Sequence, residues 1–291
     1  MNFDKVNTPT EKYQDLADKI GVSCLYFKRE DLHPLGSHKG RSISYMIDHY
    51  IKSGDKDFVI SSSGNAALAA AKYIQKLDDN ITLDIYVGNK INQSKLNILK
   101  EYSSDRIRIL MKERPLQALT QAVNEGKRSL RQSTDDVALI GYKGLAEEIA
   151  QIDGVGAIFI GTSSATTAQA LAHYFLQQKS KIQVHIVQTS SCHSISQEFD
   201  LYSGHDEISK ADAIVDIIAH RKDQVIKLIK KTGGFGWIAN NEDIDIAIKI
   251  TKEKTSIDIS PNSALSVVGA MKAAYEGYDT NGAVVCIITG K

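Results

Sequence analysis

Short runs rich in β-branched residues alternate with longer stretches of helical periodicity along almost the whole of this chain. Strand character recurs near 23–28, 57–61, 82–87, 106–111, 155–160, 182–188 and 283–288. Helical patterns fill the gaps near 39–51, 64–77, 92–102, 116–131, 164–178, 241–254 and 262–276. Strand–helix–strand alternation closes parallel pairs, so the pattern predicts an α/β fold with parallel sheets covered by helices. Open sheets of that kind hold ligands beyond the carboxyl ends of their strands, which directs attention to the turns that follow each strand. At 291 residues and 42% hydrophobic content the chain can bury a sizeable core, as one large or two modest domains. No repeat, low-complexity segment or Pro/Gly-rich linker marks a boundary.

Four strand-end stations carry the chemistry. The first follows Cys24-Leu25-Tyr26-Phe27 and reads Lys28-Arg29-Glu30-Asp31-Leu32-His33-Pro34-Leu35-Gly36-Ser37-His38-Lys39-Gly40-Arg41. Pro34 and Gly36 punctuate a loop, and Ser37 is the expected N-cap of a helix from Lys39 to Ile51. A lysine in that first turn suits an amine that attacks a carbonyl. The second station is Val59-Ile60-Ser61-Ser62-Ser63-Gly64-Asn65, running into an alanine-rich helix. Hydroxyls, an amide and the free N–H groups of a helix start converge there, an arrangement that binds anions. The third is Gly161-Thr162-Ser163-Ser164-Ala165-Thr166-Thr167, a small-residue turn opening another helix and a natural phosphate cradle. The fourth is Val284-Val285-Cys286-Ile287-Ile288-Thr289-Gly290-Lys291, a strand delivering a hydroxyl at its end.

Taken together, these stations resemble the fold type II family of pyridoxal-5'-phosphate (PLP) enzymes, which includes threonine synthase, threonine dehydratase, serine racemase and cysteine synthase. The likeness runs from Asn7-Thr8-Pro9 to the final Thr-Gly and includes Gly141-Tyr142-Lys143-Gly144-Leu145-Ala146-Glu147-Glu148-Ile149 and Ser260-Pro261-Asn262-Ser263-Ala264-Leu265-Ser266-Val267-Val268-Gly269. The resemblance implies two parallel-sheet α/β domains of the tryptophan synthase β-like type. A smaller domain over 36–139 would be inserted into a larger one made of 1–35 and 140–291, with the cofactor in the cleft between them. It implies that Lys39 holds PLP covalently and serves as the catalytic base. Asn65 would lie beside the cofactor's phenolic oxygen, and Ser62, Ser63 and Gly64 would bind the substrate carboxylate. The turn Gly161, Thr162, Ser163, Ser164 and Ala165 would hold the phosphate, with Thr289, or Ser263 beside it, at the pyridine nitrogen. The chain departs from the family pattern where Ser163, Ser164 and Ala165 replace glycines, where Gly40 replaces an aspartate and where His38 replaces an aromatic residue.

Composition excludes more than it assigns. Lys+Arg and Asp+Glu are equal at 35 each, which gives no electrostatic reason to expect nucleic acid or a membrane surface as partner. The polar N-terminus has no signal-peptide core and no apolar run spans a bilayer, so a cytoplasmic location is expected. Cys24, Cys192 and Cys286 read as free thiols, and no Cys/His set has metal spacing. His193 reads as a satisfied loop histidine, and the basic stretch Arg221 to Lys231 as a solvated helix face. A hydroxyl rather than a carboxylate at the pyridine nitrogen favours elimination or replacement at the β or γ carbon over transamination. The expected activity is threonine synthase-like, converting O-phosphohomoserine to threonine, on a small amino-acid substrate and in a homodimer, as in the family. A dehydratase, racemase or cysteine synthase-like enzyme is the alternative, and a diverged, non-catalytic PLP-binding protein the further one.

Overall fold

The computed structural model describes residues 6–202, 204 and 206–290. Residues 1–5, 203, 205 and 291 of the expected larger domain lie outside them. The described residues form two compact units, one of residues 33–141 with Val6 and one of residues 7–32 and 142–290. The chain opens the larger unit with β1 (Thr10–Lys12), α1 (Gln14–Ile20) and β2 (Leu25–Lys28). It then builds the smaller unit from α2 (Lys39–Lys52), β3 (Asp57–Ser61), α3 (Asn65–Ile74), β4 (Thr82–Gly88), α4 (Gln93–Lys100), β5 (Ile107–Lys112), α5 (Pro115–Asn124), β6 (Arg128–Ser129) and α6 (Val137–Ile140). The larger unit resumes with α7 (Lys143–Ala150), β7 (Val155–Gly161), α8 (Thr166–Gln177), β8 (Gln183–Thr189), α9 (Lys222–Thr232), β9 (Gly236–Ala239), α10 (Asn241–Thr255), α11 (Pro261–Tyr275) and β10 (Ala283–Ile287).

In the smaller unit the sheet order is β5-β4-β3-β6, parallel throughout. Ile43, Met46 and Ile47 of α2 bury their faces with Phe58 and Ile60 of β3 and Leu83 and Ile85 of β4. Burial of each such side chain contributes about 1.5–3 kcal/mol. Helix α5 is shorter than the periodicity over 116–131 predicts. It stops at Asn124 because Gly126 takes a left-handed φ of 100°, and Arg128–Ser129 then pairs with β3. In the larger unit the order is β1-β2-β10-β7-β8-β9, with β1 antiparallel to β2 and the other pairs parallel. The last strand in sequence therefore lies inside the sheet, between β2 and β7.

Two buried polar groups in the larger unit show how its core is specified. Lys28 is 1% exposed, and its ammonium reaches Glu148 Oε2 at 2.6 Å, the carbonyl of Thr8 at 2.6 Å and Thr10 Oγ1 at 3.3 Å. Three donors meet three acceptors, the condition under which a buried charge is tolerated. Glu148 thus serves the packing of this core. His185 is fully buried, stacked on Phe159 at 4.4 Å and near-parallel to Trp237, whose indole N–H donates to its Nδ1. Its Nε2 lies 3.0 Å from Gln183 Oε1. Burial pushes this imidazole down to about 3, so the ring is neutral at neutral pH.

Candidate active site

The smaller unit carries the lysine. Lys39 is the first residue of α2 and is half-buried, and among the described residues its ammonium has no ion-pair or hydrogen-bond partner. The N-cap is His38, not Ser37, and no side chain caps the helix. The reason lies in the backbone: the carbonyl of Ser37 already accepts the N–H of Gly40 at 2.9 Å, so the chain turns one residue early and the Ser37 side chain is carried inward. Its hydroxyl is fully buried and makes no hydrogen bond among the described residues. Gly40 has a local cause. A Cβ there would stand 2.5 Å from the His33 ring and 2.7 Å from Leu35 Cβ, and His33 Nδ1 in turn accepts the N–H of Leu35 at 3.1 Å. The aspartate of relatives cannot be accommodated beside His33 in this packing.

The Ser62–Asn65 turn belongs to the same unit, and the lysine loop is packed against its helix. A Cβ on Gly36 would be 3.9 Å from Leu68 in the first turn of α3, the helix that Asn65 opens. Gly64 is the N-cap in extended conformation, and Ser62 Oγ accepts its N–H at 3.3 Å. Asn65 does not cap α3, and its amide has no partner among the described residues. A Cβ built on Gly64 meets no protein atom within 4 Å, so the backbone faces open space there. Ser63 is exposed.

The larger unit carries the third and fourth stations, the turn from Gly161 to Thr167 and the end of β10. Thr162 donates its N–H to the carbonyl of Val187, which fixes the turn to β8. Ala165 takes the left-handed φ of 58° as the N-cap of α8, the conformation that favours glycine. Thr162, Ser164, Ala165, Thr166 and Thr167 are buried, and Ser164 Oγ lies 3.0 Å from Thr166 Oγ1. Gly161 serves packing, since a Cβ would stand 2.7 Å from the carbonyl of Asn262 and 2.9 Å from Leu265 Cβ. At the fourth station Ser263 Oγ lies 3.4 Å from Thr289 Oγ1, donates to the carbonyl of Gly290 at 2.8 Å and accepts its N–H at 3.3 Å. Ser260 caps α11 and also donates to the Gly290 carbonyl at 2.7 Å. Ser263 is thus committed to holding the strand end, with the Thr289 hydroxyl beside it.

These residues fit the cofactor implied by the resemblance. The smaller unit holds an amine without a competing partner, an orphaned buried hydroxyl two residues before it and an open backbone approach at Gly64. The larger unit holds a helix start of small residues whose first N–H groups have no intrahelical acceptor. Sequence reasoning missed Ser37 as a buried group, and it missed Asp216, whose carboxylate accepts the Ser163 hydroxyl at 2.9 Å across 53 residues of chain. No sequence pattern signals a bond of that reach. His193 Nδ1 lies 3.1 Å from the carbonyl of Thr189, the satisfied loop histidine expected. Cys24, Cys192 and Cys286 are free, with burial pushing the Cys286 thiol well up. Among the described residues no acidic, His or Cys cluster could hold a metal, and no helix is long and apolar enough to cross a membrane.

Comparison with known proteins bears on the family. The sequence profile of the family described as pyridoxal-phosphate dependent enzymes matches residues 2–290. The threonine synthase of Methanocaldococcus jannaschii is 24% identical over 303 residues, spanning 97% of this chain and 74% of that protein. Human L-serine dehydratase/L-threonine deaminase is 38% identical over 72 residues, 25% of this chain and 22% of that one. Among solved structures, a pyridoxal 5'-phosphate-dependent aspartate racemase superposes with a TM-score of 0.83 at 20% identity, covering 98% of this chain and 90% of the other.

Proposed function

This chain belongs to the family of pyridoxal-phosphate-dependent enzymes, and from that premise we propose that it carries out elimination or replacement at the β or γ carbon of a small amino acid, with O-phosphohomoserine as substrate and threonine as product. Pyridoxal phosphate, when bound, supplies the electron sink that makes the α-proton of an amino acid removable. The chain's own residues divide the remaining work. Lys39 Nζ holds the cofactor and takes the α-proton from the substrate. The N–H groups and hydroxyls of Ser62, Ser63 and Gly64 bind the substrate carboxylate, and the Asn65 amide orients the ring. The start of α8, from Thr162 to Thr167, binds the phosphate. The homodimer of the family is the expected assembly.

The observation that carries the choice of reaction is the end of β10. The buried Thr289 hydroxyl lies 3.4 Å from Ser263 Oγ at that strand end, and in this reading it is this hydroxyl, not a carboxylate, that meets the ring nitrogen. A ring left neutral is the weaker sink, which favours loss of a leaving group over transfer of the amino group. The likeness to threonine synthase across 97% of the chain supports the substrate. Incubation with O-phosphohomoserine should release threonine and inorganic phosphate in equal amounts. A second reading, deamination of serine or threonine, is favoured by the local 38% identity to the human dehydratase and by the Ser-Ser-Gly-Asn turn. Release of 2-oxobutyrate from threonine, with no turnover of O-phosphohomoserine, would replace the first reading by this one. Serine, and O-acetylserine with and without sulfide, complete the panel.

A further inference from the structure

We propose that Asp216 is the positioning residue of the phosphate turn, a latch that acts through Ser163 to hold the start of α8 in its anion-binding shape. The proposal rests on the reading that this turn holds the cofactor phosphate. The Ser163 hydroxyl donates to Asp216 Oδ2 at 2.9 Å and accepts the N–H groups of Val215 and Asp216, each at 3.0 Å. A hydroxyl has one donor and two acceptor sites, so every site of Ser163 is used and none remains for a phosphate. Its role is therefore to brace the turn, and Ser164 and Thr166, 3.0 Å apart, supply the other hydroxyls at the start of α8.

The bracing segment is itself fixed on several sides. Ser194 Oγ donates to the carbonyl of Asp216 at 2.9 Å, and Asn262 Oδ1, in the first turn of α11, accepts the N–H of Ala213 at 3.0 Å. Ala211 and Ile214 are buried in the core of the larger unit. On the other side of the turn, the fully buried Gln188 donates to the carbonyl of Ser163 at 3.3 Å while its Oε1 accepts the N–H groups of Ile195 and Ser196. Ser163 is thus gripped by its hydroxyl and its carbonyl. A carboxylate beside an anion site opposes the anion by Coulomb repulsion, so its presence is explained by the shape it imposes and not by its charge. The latch also accounts for a serine at a position where relatives use glycine: a glycine would leave Asp216 and two backbone N–H groups without this partner.

The test is a set of cofactor dissociation constants, measured by titrating resolved protein with PLP, together with the phosphorus-31 resonance of the bound phosphate. Asp216→Ala should bind PLP about tenfold or more weakly, the loss of one hydrogen bond to a charged group, and should shift the phosphorus resonance. Asp216→Asn keeps an acceptor for Ser163 and removes the repelling charge, so it should bind at least as tightly as the unmodified protein. Ser163→Ala should match Asp216→Ala, and the double variant should be no weaker than either single one. If Asp216→Ala leaves affinity and resonance unchanged while Ser164→Ala weakens binding, the latch is wrong and the phosphate reading stands. If Asp216→Asn is as weak as Asp216→Ala, the bond to Ser163 is not what matters and the latch is again overturned. If neither Ser164→Ala nor Asp216→Ala changes PLP affinity, the phosphate lies elsewhere and both ideas fall together.

Discussion

Single side chains carry two sharp expectations. Lys39 is placed by a turn that leaves its amine without a partner among the described residues, so its removal should cost chemistry far more than structure. Lys39→Ala should retain its unfolding midpoint and lose essentially all turnover. Borohydride reduction of the unmodified protein followed by peptide mapping should find the pyridoxyl label on Lys39, and a label on another lysine would refute the assignment. His185 titrates in the opposite sense from a paired histidine. Its folded value, about 3, lies below the ordinary value of 6.5, so only the unfolded chain takes up a proton as pH falls through 6.5. The neutral ring is fully accommodated above pH 6.5, and stability is lost as pH falls from there toward 3, at up to about 1.4 kcal/mol per pH unit. His185→Phe keeps the stack on Phe159 and removes the titration. The stability gap between the two proteins, measured by urea unfolding at pH 7 and pH 5, should narrow or reverse at the lower pH, and a constant gap would exclude this account.

Among elements, the start of α2 shows what can and cannot be read from sequence. That a helix begins beside Lys39 is written in the loop punctuation of Pro34 and Gly36. That Ser37 points inward is not, because it depends on which carbonyl takes the first N–H. The cause of Gly40 is likewise tertiary, since His33 precedes it by seven residues and reaches it only through the fold of the loop. Gly40→Ala should destabilise the protein by roughly 1–3 kcal/mol through overpacking, seen as a lower thermal midpoint. Adding His33→Ala should recover part of that loss, and purely additive losses would show that the ring is not the obstacle. The predicted strands lie within two residues of the observed ones because β-branched runs are strong signals. β1 and β9 escaped because Thr10–Lys12 is short and polar and Gly236–Ala239 has a single β-branched residue. Asp216 escaped because residues 200–221 carry no periodicity, and its partner Ser163 is found only by folding.

At the scale of the whole molecule, the alternation of strands and helices was enough to reveal parallel α/β architecture, whereas the partition into two units is a property of contacts that no linker announces. The sheet of the larger unit has its own asymmetry of assembly. β10 pairs with β2 on one side and β7 on the other, in parallel register with both. Ribosomal synthesis delivers β2 and β7 long before β10, so during that interval both strands expose unpaired edges toward the place where β10 will go. The smaller unit, residues 33–141, is fully synthesised well before that closing strand exists. Chains arrested before Ala283 should therefore show protease protection within residues 33–141 and cleavage throughout 142–278, with protection of the larger unit appearing in one step once β10 has left the exit tunnel. Until β10 is made, the facing edges of β2 and β7 lack their common neighbour, so an incomplete chain of this design carries two unpaired strand edges that invite aggregation.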